Sequence, residues 1–324
     1  MNRPNVDPIR GALIGKLITG FIHGASALAR LHPAARASRH GVEVLENISY
    51  RPGGQSDHLL DVYRPIKREG LLPIVLYIHG GGFRLGSKNT HWMMGLHYAR
   101  RGYCVFNINY RLAPQYRFPA APHDAIDAYL WVAENAARYG GDPQRLILAG
   151  ESAGANLALG LSIASSYRLD SGRAESIYRC AVRPRALIAG CGFLQVSDTN
   201  RYRRQGLARW ALDRVNYIEQ SYAPLVSDAE DQTLLDPLNF LEDAKQPERD
   251  FPPTLVPVGG RDPVFDDSRR LNAALERLAI AHRFLRYEGE GHAFFAFVWR
   301  EQAKRCWRDI FNFLEQQGLA GEPR

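Results

Sequence analysis

The chain has 324 residues, of which 45% are hydrophobic and 23% are charged, and its net charge is +7. This length allows one large core with an insertion or two small domains, and the composition is that of an ordinary globular protein. A basic chain raises the question of nucleic acid or an anionic membrane as a partner, but the positive residues are scattered and no aromatic-interleaved basic motif appears, which argues against nucleic acid.

The four cysteines also limit the classes of protein to consider. They form no C-x-x-C pair, and Cys104 and Cys191 lie in or beside apolar runs that are typical of strands. This pattern indicates reduced, buried thiols and neither a disulfide framework nor a zinc site. We therefore expect a cytoplasmic protein.

Residues 11–31 are apolar and rich in small side chains, but Lys16 and His23 interrupt them. The interruptions argue against a signal peptide and against a membrane span. The apolar positions recur at helical spacing, which predicts an amphipathic helix. We favour a lid packed on the body of the protein; the alternative is an anchor on a membrane surface.

Downstream of this segment, short apolar runs alternate with helical patterns. The predicted strands are 42–50, 58–64, 73–79, 103–109, 145–150, 184–190, 253–259 and 282–288. The predicted helices are 90–101, 120–138, 153–168, 266–279 and 300–316. The alternation predicts an α/β protein with a mostly parallel, eight-stranded sheet and helices on both faces, and the first strands, which lack an intervening helix, predict an antiparallel lead-in.

Residues 195–250 interrupt this rhythm, with many charges, helix-like patches and no strand signal. An insertion of this size between two strands predicts a separate helical cap over the body. We therefore divide the chain into N-terminal cap helices in 1–44, a first part of the core in 45–194, the cap insertion in 195–250 and a second part of the core in 251–324.

The most informative motif is a G-x-S-x-G pentapeptide between a predicted strand and a predicted helix. It consists of Gly150, Glu151, Ser152, Ala153 and Gly154. A strand, a sharp turn and a helix are the context of a nucleophile elbow, in which a strained serine points out of the sheet. Ser152 is thus the candidate nucleophile; alternatively, it only caps the helix that follows.

A glycine run follows the predicted strand 73–79. It consists of His79, Gly80, Gly81, Gly82 and Phe83. The backbone N–H groups of Gly81 and Gly82, together with that of Ala153, are candidates to bind an oxyanion. The alternatives are a flexible loop or a phosphate loop, although no G-K-[ST] follows. His79 precedes the serine, so we interpret it as a structural residue and not as the base.

An orienting carboxylate and a base are expected after the last two strands, in the chain order Ser, Asp, His. Asp262 lies just past strand 253–259, whereas Asp266 and Asp267 lie farther along and compete for the role. Asp262 could also be a simple turn residue, because Asp-Pro is a common turn dipeptide. His292 follows the last strand within a glycine-containing loop and is the candidate base; His282, at the start of a strand, is the weaker candidate.

Together these residues resemble the hormone-sensitive-lipase-like family of bacterial carboxylesterases over roughly residues 45–315. The resemblance rests on the segments HGGGF at 79–83, YRLAPQYRFPAAPHDA at 110–125, GESAG at 150–154, PPTLVPVGGRDPVFDD at 252–267 and EGEGHAFF at 288–295. It implies an α/β-hydrolase fold with a helical cap and a metal-independent esterase without a cofactor. It also implies a triad of Ser152, Asp262 and His292, with oxyanion donors at Gly81, Gly82 and Ala153.

The chain departs from the family pattern at two positions. Gln115 stands where the family usually has a glutamate, and Ala293 stands where it usually has a glycine after the histidine. Neither change removes a member of the triad. The first affects a local charge contact, and the second affects the flexibility of the histidine loop.

The expected reaction is hydrolysis of a small-molecule ester through an acyl-enzyme, with short or medium acyl chains. The bulky cap residues are able to close a pocket, although they could equally be cap core; they are Phe193, Trp210, Tyr217 and Tyr222. The alternatives are an amide, carbamate or formamide hydrolase with the same triad, a non-catalytic binding protein, or a membrane-docked lipase that uses residues 11–31. We expect no nucleic acid partner, and the family resemblance also allows a homodimer.

Overall fold

The computed structural model describes residues 20, 24, 26–169, 172–223 and 232–321. Most of the predicted N-terminal helix of residues 11–31 lies outside the described residues. Of its described part, residues 26–31 are helical, and the side chains of Leu28 and Leu31 are exposed. No helix in the described ranges combines the length and the apolar character that crossing a membrane requires.

The eight predicted strands form a single sheet in the described chain. They are β1 (Val42–Ser49), β2 (Leu59–Pro65), β3 (Leu72–Ile78), β4 (Cys104–Ile108), β5 (Gly141–Glu151), β6 (Pro184–Gly190), β7 (Thr254–Gly259) and β8 (His282–Tyr287). Their order is β1-β2-β4-β3-β5-β6-β7-β8. Strand β2 pairs antiparallel with both β1 and β4, and all other pairs are parallel. The predicted antiparallel lead-in and the parallel sheet are confirmed.

Helices cover both faces of this sheet. They are α1 (Trp92–Ala99), α2 (Ala120–Asn135), α3 (Ala153–Ser166), α4 (Gly172–Arg179), α5 (Asn200–Arg204), α6 (Arg209–Tyr222), α7 (Gln232–Leu235), α8 (Pro237–Asp243), α9 (Phe265–Arg277) and α10 (Glu301–Gln316). Short 3₁₀ turns occur at Pro33–Ala35, Ala37–His40, Ser56–His58, Ala136–Tyr139 and Phe294–Ala296. Helix α4 was not predicted, because only Ala174 and Ile177 of its eight residues are buried and the apolar pattern is weak.

The core divides into two layers, one on each face of the sheet. Alternate residues of β3 point to opposite faces: Ile74, Leu76 and Ile78 pack with α2 and α3, whereas Val75 and Tyr77 pack with α1 and α10. This period of two is the expected result of strand geometry. Every residue of β3 is buried, which is why its sequence is a continuous apolar run.

The segment between β6 and β7 contains helices α5 to α8 and no strand within its described residues. One of these helices, α7, lies close to α3: the Asn156 side-chain amide donates to Leu235 O at 3.1 Å, and the side chain of Leu234 lies beside Gly160. The segment therefore covers the helix that follows Ser152. Its assignment as a cap domain stays a prediction.

Candidate active site

Four loops that carry the predicted site residues leave the same edge of the sheet. They follow β3, β5, β7 and β8, which are parallel members of one sheet. The carboxyl ends of parallel strands meet at one edge, where open α/β sheets bind ligands. Topology alone thus gathers residues that are far apart in the chain.

Ser152 occupies a backbone conformation that few side-chain-bearing residues adopt, with φ 55° and ψ −117°. The turn around it depends on two glycines. A Cβ on Gly154 would lie 2.0 Å from Ile78 O, and a Cβ on Gly150 would lie 2.5 Å from the carbonyl of Gly154. The Ser152 N–H donates to Gly190 O at 2.9 Å, which ties the strained turn to β6.

Asp262 and His292 lie in direct contact. The Nδ1 atom of His292 is 3.0 Å from each carboxylate oxygen of Asp262, whose side chain is fully buried. The loop that carries His292 reaches β7 because Gly259 has no side chain: a Cβ there would lie 2.4 Å from Glu290 O. Asp262 in turn accepts a hydrogen bond from the Val264 N–H at 2.9 Å, which holds the carboxylate in its turn.

Opposing effects act on the imidazole of His292. Desolvation lowers its pKa, but the charge and the hydrogen bond of Asp262 raise it, and the net result is a pKa above the ordinary value of 6.5. The carboxylate of Glu151 adds to the increase, whereas the positive charge of Arg214 opposes it. Asp262 therefore stabilises the protonated ring, as the orienting acid of a triad does.

The competing acids and the competing histidine face other partners. Asp267 is buried and accepts from Arg201 Nη2 at 2.9 Å and from the Leu194 N–H at 2.9 Å. Asp266 pairs with Arg269 at 2.6 Å. The Nδ1 atom of His282 lies 2.7 Å from the carbonyl of Ile280.

The glycine run after β3 turns sharply beside the elbow. Gly81 and Gly82 have φ values of 119° and 61°, which side-chain-bearing residues rarely adopt. Within the described chain, no acceptor is hydrogen-bonded to the N–H of either glycine. Ala153 begins helix α3, where backbone N–H groups also lack intrahelical acceptors. These three donors remain the candidates for an oxyanion site.

His79 lies inside the protein and supports the glycine run. Its Nδ1 donates to Gly80 O at 2.7 Å, and its ring stacks on Tyr110 with the ring centres 4.3 Å apart. Burial, with a further effect of the charge of His91, lowers its pKa to about 3, so the ring stays neutral at neutral pH. This environment suits a structural residue.

The carboxylate of Glu151 connects the elbow to the glycine run. It is buried and accepts from the Gly80 N–H at 2.7 Å, from the hydroxyl of Tyr77 and from His91 Nε2 at 2.8 Å. Burial raises the pKa of Glu151. The charge of His91 and the hydrogen bonds from His91, Tyr77 and Gly80 together lower it by more, so the net shift is downward. The pKa of His91 is raised in turn, since Glu151 outweighs desolvation. His91 carried no signal in the sequence, because the contact links distant parts of the chain.

Helix α6 lies directly over the glycine run. A Cβ on Gly82 would lie 2.6 Å from Ile218 Cδ1, and the ring of Phe83 stacks on that of Tyr222 with centres 4.0 Å apart. Arg84 Nη2 donates to the hydroxyl of Tyr217 at 3.0 Å. The sequence identified Tyr217 and Tyr222 as bulky residues but did not reveal these contacts.

One set of side chains at this edge could in principle ligate a metal. The sulfur of Cys191 and single ligand atoms of Asp262 and His292 lie within 4.8 Å of one another. Burial raises the pKa of the Cys191 thiol well above its ordinary value, and the charge of Asp262 adds to this. Cysteine binds a metal as the thiolate. A protonated thiol beside an aspartate and a histidine that are already hydrogen-bonded to each other is therefore a poor metal site.

Comparisons with known proteins give the fold and the family of the chain. A model of the α/β-hydrolase fold matches residues 75–296. An ethyl acetate hydrolase of Pseudomonas putida is 30% identical over 249 residues, which cover 73% of this chain and 72% of the relative. The carboxylesterase NlhH of Mycobacterium tuberculosis is 34% identical over 162 residues, which cover 48% of this chain and 50% of the relative, so the chain spans about half the length of that relative. The esterase LipW of Mycobacterium marinum has the same fold, with a TM-score of 0.74 at 24% identity over 90% of this chain and 86% of that one.

Proposed function

Because the chain belongs to the hormone-sensitive-lipase-like family of the α/β-hydrolase fold, we propose that it is a serine carboxylesterase for short- to medium-chain esters that works through an acyl-enzyme. The observation that carries the proposal is the Asp262–His292 pair, which lies at the sheet edge where Ser152 sits in a strained turn. A strained serine, a histidine and an orienting carboxylate are the parts that acyl transfer by serine requires.

In the first half of the reaction, Ser152 Oγ attacks the ester carbonyl while His292 Nε2 takes its proton. Asp262 keeps the imidazole in the tautomer that accepts at Nε2 and stabilises the charged ring. The hydrogen bonds of Nδ1 to both carboxylate oxygens support this role. The alcohol then leaves with the proton from His292.

The negative charge on the carbonyl oxygen needs donors in place before the reaction. The N–H groups of Gly81, Gly82 and Ala153 take this role, and each donor contributes about 3 kcal/mol of barrier lowering. Glu151 positions the glycine run through the Gly80 N–H. Water then attacks the acyl-enzyme by the same sequence of proton transfers, and Ser152 is regenerated.

The preference for short or medium acyl chains rests on two observations. Ile218 lies against Gly82, so helix α6 limits the space beside the oxyanion donors. The relative from Pseudomonas putida is named for ethyl acetate, a small ester. Faster turnover of a palmitoyl than of a butyryl ester would contradict this preference.

The test is the initial rate on p-nitrophenyl esters from acetyl to palmitoyl, measured for wild type, Ser152→Ala and Ser162→Ala. Ser162 is the control, because it is a buried serine of helix α3, which follows Ser152, and its hydroxyl only bonds to Ala158 O. We expect Ser152→Ala to lower kcat on the order of 10⁶-fold and Ser162→Ala to leave it close to wild type. Near-wild-type turnover by Ser152→Ala would overturn the assignment.

The same triad also hydrolyses amides, carbamates and formamides in principle, so substrate class needs its own comparison. Rates on matched aryl esters and anilides separate these activities. We expect the ester to be strongly preferred. A folded protein that turns over only the anilide would place it among the amide hydrolases.

A further inference from the structure

Two arginines lie where helix α6 meets the glycine run. Arg84 follows that run directly, and its guanidinium lies 4.0 Å from the ring centre of Tyr217 on α6. Arg214 lies one helical turn before Tyr217 and Ile218, and residues three and four apart share a helix face. Because Ile218 touches Gly82, this face of α6 is the one turned toward the candidate oxyanion donors.

Neither arginine has an acidic partner among the residues that the structure describes. Arg84 is half-buried, its Nη2 donates to the Tyr217 hydroxyl, and its Nε is buried without a hydrogen bond. Arg214 is exposed. Glu219, an acid of the same helix on a different face, accepts from the Thr199 N–H.

Other arginines of the chain contrast with this pair. Two buried or half-buried guanidinium groups elsewhere meet carboxylates: Arg201 lies 2.9 Å from Asp267, and Arg270 lies 2.5 Å from Glu242. Burying a charge without a partner is costly. Within the described residues, the half-buried guanidinium of Arg84 thus lacks the carboxylate that Arg201 and Arg270 have.

The two positive charges also influence each other and the candidate base. Burial lowers the pKa of Arg84, and the charge of Arg214 lowers it further, while Tyr217 opposes both. The charge of Arg214 also opposes the protonation of His292. An anion between Arg84 and Arg214 would relieve their repulsion and would lie near the reacting centre.

We propose that Arg84 and Arg214 form an anion-binding subsite that selects esters bearing a second, negatively charged carboxylate group. As a statement about substrate class, this rests on the proposed esterase function. The carboxylate accepts hydrogen bonds from the guanidinium groups of Arg84 and Arg214, which are charge-assisted and stronger than neutral ones. The ester carbonyl is then held toward Ser152.

The experiment compares kcat/KM for charged and neutral esters of matched shape. One arm uses mono-p-nitrophenyl adipate and its methyl ester, which place the charge on the acyl part. The other uses p-acetoxybenzoate and the corresponding benzamide, which place it on the alcohol part. We expect the charged member to be preferred in at least one arm, and the preference to weaken as salt screens the charges.

The decisive variants are Arg214→Gln and Arg84→Gln, with Arg209→Gln as the control. Arg209 is an exposed arginine of the same helix that lies on a different face. We expect Arg214→Gln to lower the charged-to-neutral ratio of kcat/KM roughly 5-fold, Arg84→Gln to lower it on the order of 10-fold, and Arg209→Gln to leave it unchanged. The ratio cancels any effect of the variants on His292, because both esters use the same base.

Failure of this proposal is distinguishable from failure of the esterase function. Turnover of neutral esters with no charged preference in either arm, or a preference that survives in both decisive variants, would overturn the subsite. If no ester is turned over, calorimetric titration with adipate tests the subsite directly. Binding that is lost in Arg214→Gln but kept in Arg209→Gln would then support it, and no binding to wild type would overturn it.

Discussion

Asp262 and His292 differ in their access to water. The Asp262 side chain is fully buried, whereas about a third of the His292 side chain, 37%, is exposed. A buried carboxylate keeps its orientation, and in the proposed mechanism the exposed side of the imidazole is the one that must reach the serine and the leaving group. The proposed base is thus held from one side and free on the other.

The pH dependence of activity tests this pair. A base acts only when neutral, so activity is present above the pKa of His292 and is lost as the pH falls through it. Asp262→Asn removes the charge that raises this pKa, while desolvation and Arg214 still lower it. We expect the acid limb of the kcat/KM profile to move to lower pH and kcat to fall about 10⁴-fold.

The control for this measurement is Asp266→Asn, which removes a carboxylate that pairs with Arg269 and not with His292. The acid limb of its kcat/KM profile should keep the wild-type midpoint. An acid limb that stays in place in Asp262→Asn would mean that Asp262 does not set the pKa of the base.

A second prediction concerns the contribution of the Glu151–His91 pair to folding stability and its dependence on pH. The pKa of Glu151 is lowered from 4.5, so its contribution is fully present above pH 4.5 and is lost as the pH falls through the shifted pKa. The pKa of His91 is raised from 6.5, so its contribution is fully present below pH 6.5 and is lost as the pH rises. The pair therefore stabilises the fold most between these values.

We expect His91→Gln to lower the free energy of unfolding by on the order of 3 kcal/mol in this window, because it leaves a buried carboxylate without its cation. Urea unfolding of both proteins across pH measures the difference. The difference should shrink on either side of the window, and a difference that is constant across pH would show that the charge of His91 is not involved.

At the scale of elements, the helix that follows Ser152 is set against β3 without space for side chains. A Cβ on Gly154 would meet the backbone oxygen of Ile78 at 2.0 Å, and backbone atoms of a central strand cannot move away. A Cβ on Gly160, farther along the same helix, would meet only Leu234 Cδ2 at 3.5 Å, an ordinary contact.

These two glycines give a matched pair of substitutions. We expect Gly154→Ala to destabilise the protein by more than about 3 kcal/mol and to abolish ester turnover, since the overpacked helix must shift. Gly160→Ala should be neutral or stabilising by up to about 1 kcal/mol, because alanine favours helix. Thermal unfolding and activity together check both; equal effects of the two would contradict the close approach at Gly154.

The elements show what sequence patterns can and cannot reveal. Strand β3 and residues 146–150 of β5 were predictable because both faces are buried there and the sequence is an apolar run. Asp262 was chosen over Asp266 and Asp267 from its position past a strand end, and the structure places it on His292; its role in catalysis stays a prediction. The contacts of His91 with Glu151 and of α6 with Gly82 were not predictable, because they join segments that only the tertiary fold brings together.

At the scale of the whole molecule, the described fold encloses most of its reactive sulfur. All four cysteines are free; Cys104, Cys191 and Cys306 are buried, and Cys180 is half-buried. Burial raises the pKa of each thiol, most weakly for the partly accessible Cys180. The thiolate is the reactive form, so burial suppresses reaction in two ways: it blocks the reagent, and it keeps the thiol protonated.

We therefore expect a disulfide reagent such as Ellman's to modify Cys180 alone in the folded protein and all four cysteines after unfolding in guanidinium. Activity should survive the modification, because Cys191 beside Asp262 is protected. Cys180→Ser should abolish the reaction of the folded protein. Rapid inactivation by the reagent would contradict the packing around Cys191.

Helix α3 has every one of its 14 residues buried, whereas the loop before His292 contains the exposed residues Glu288 and Gly289. Backbone amides exchange with solvent deuterium when a region opens, and buried core elements open only at high free energy. We therefore expect the backbone amides around Ser152 to be protected from exchange much more strongly than those around His292. On warming, the protein would lose its base to local opening while the serine turn stays folded, so inactivation would begin reversibly and well before the melting of the sheet.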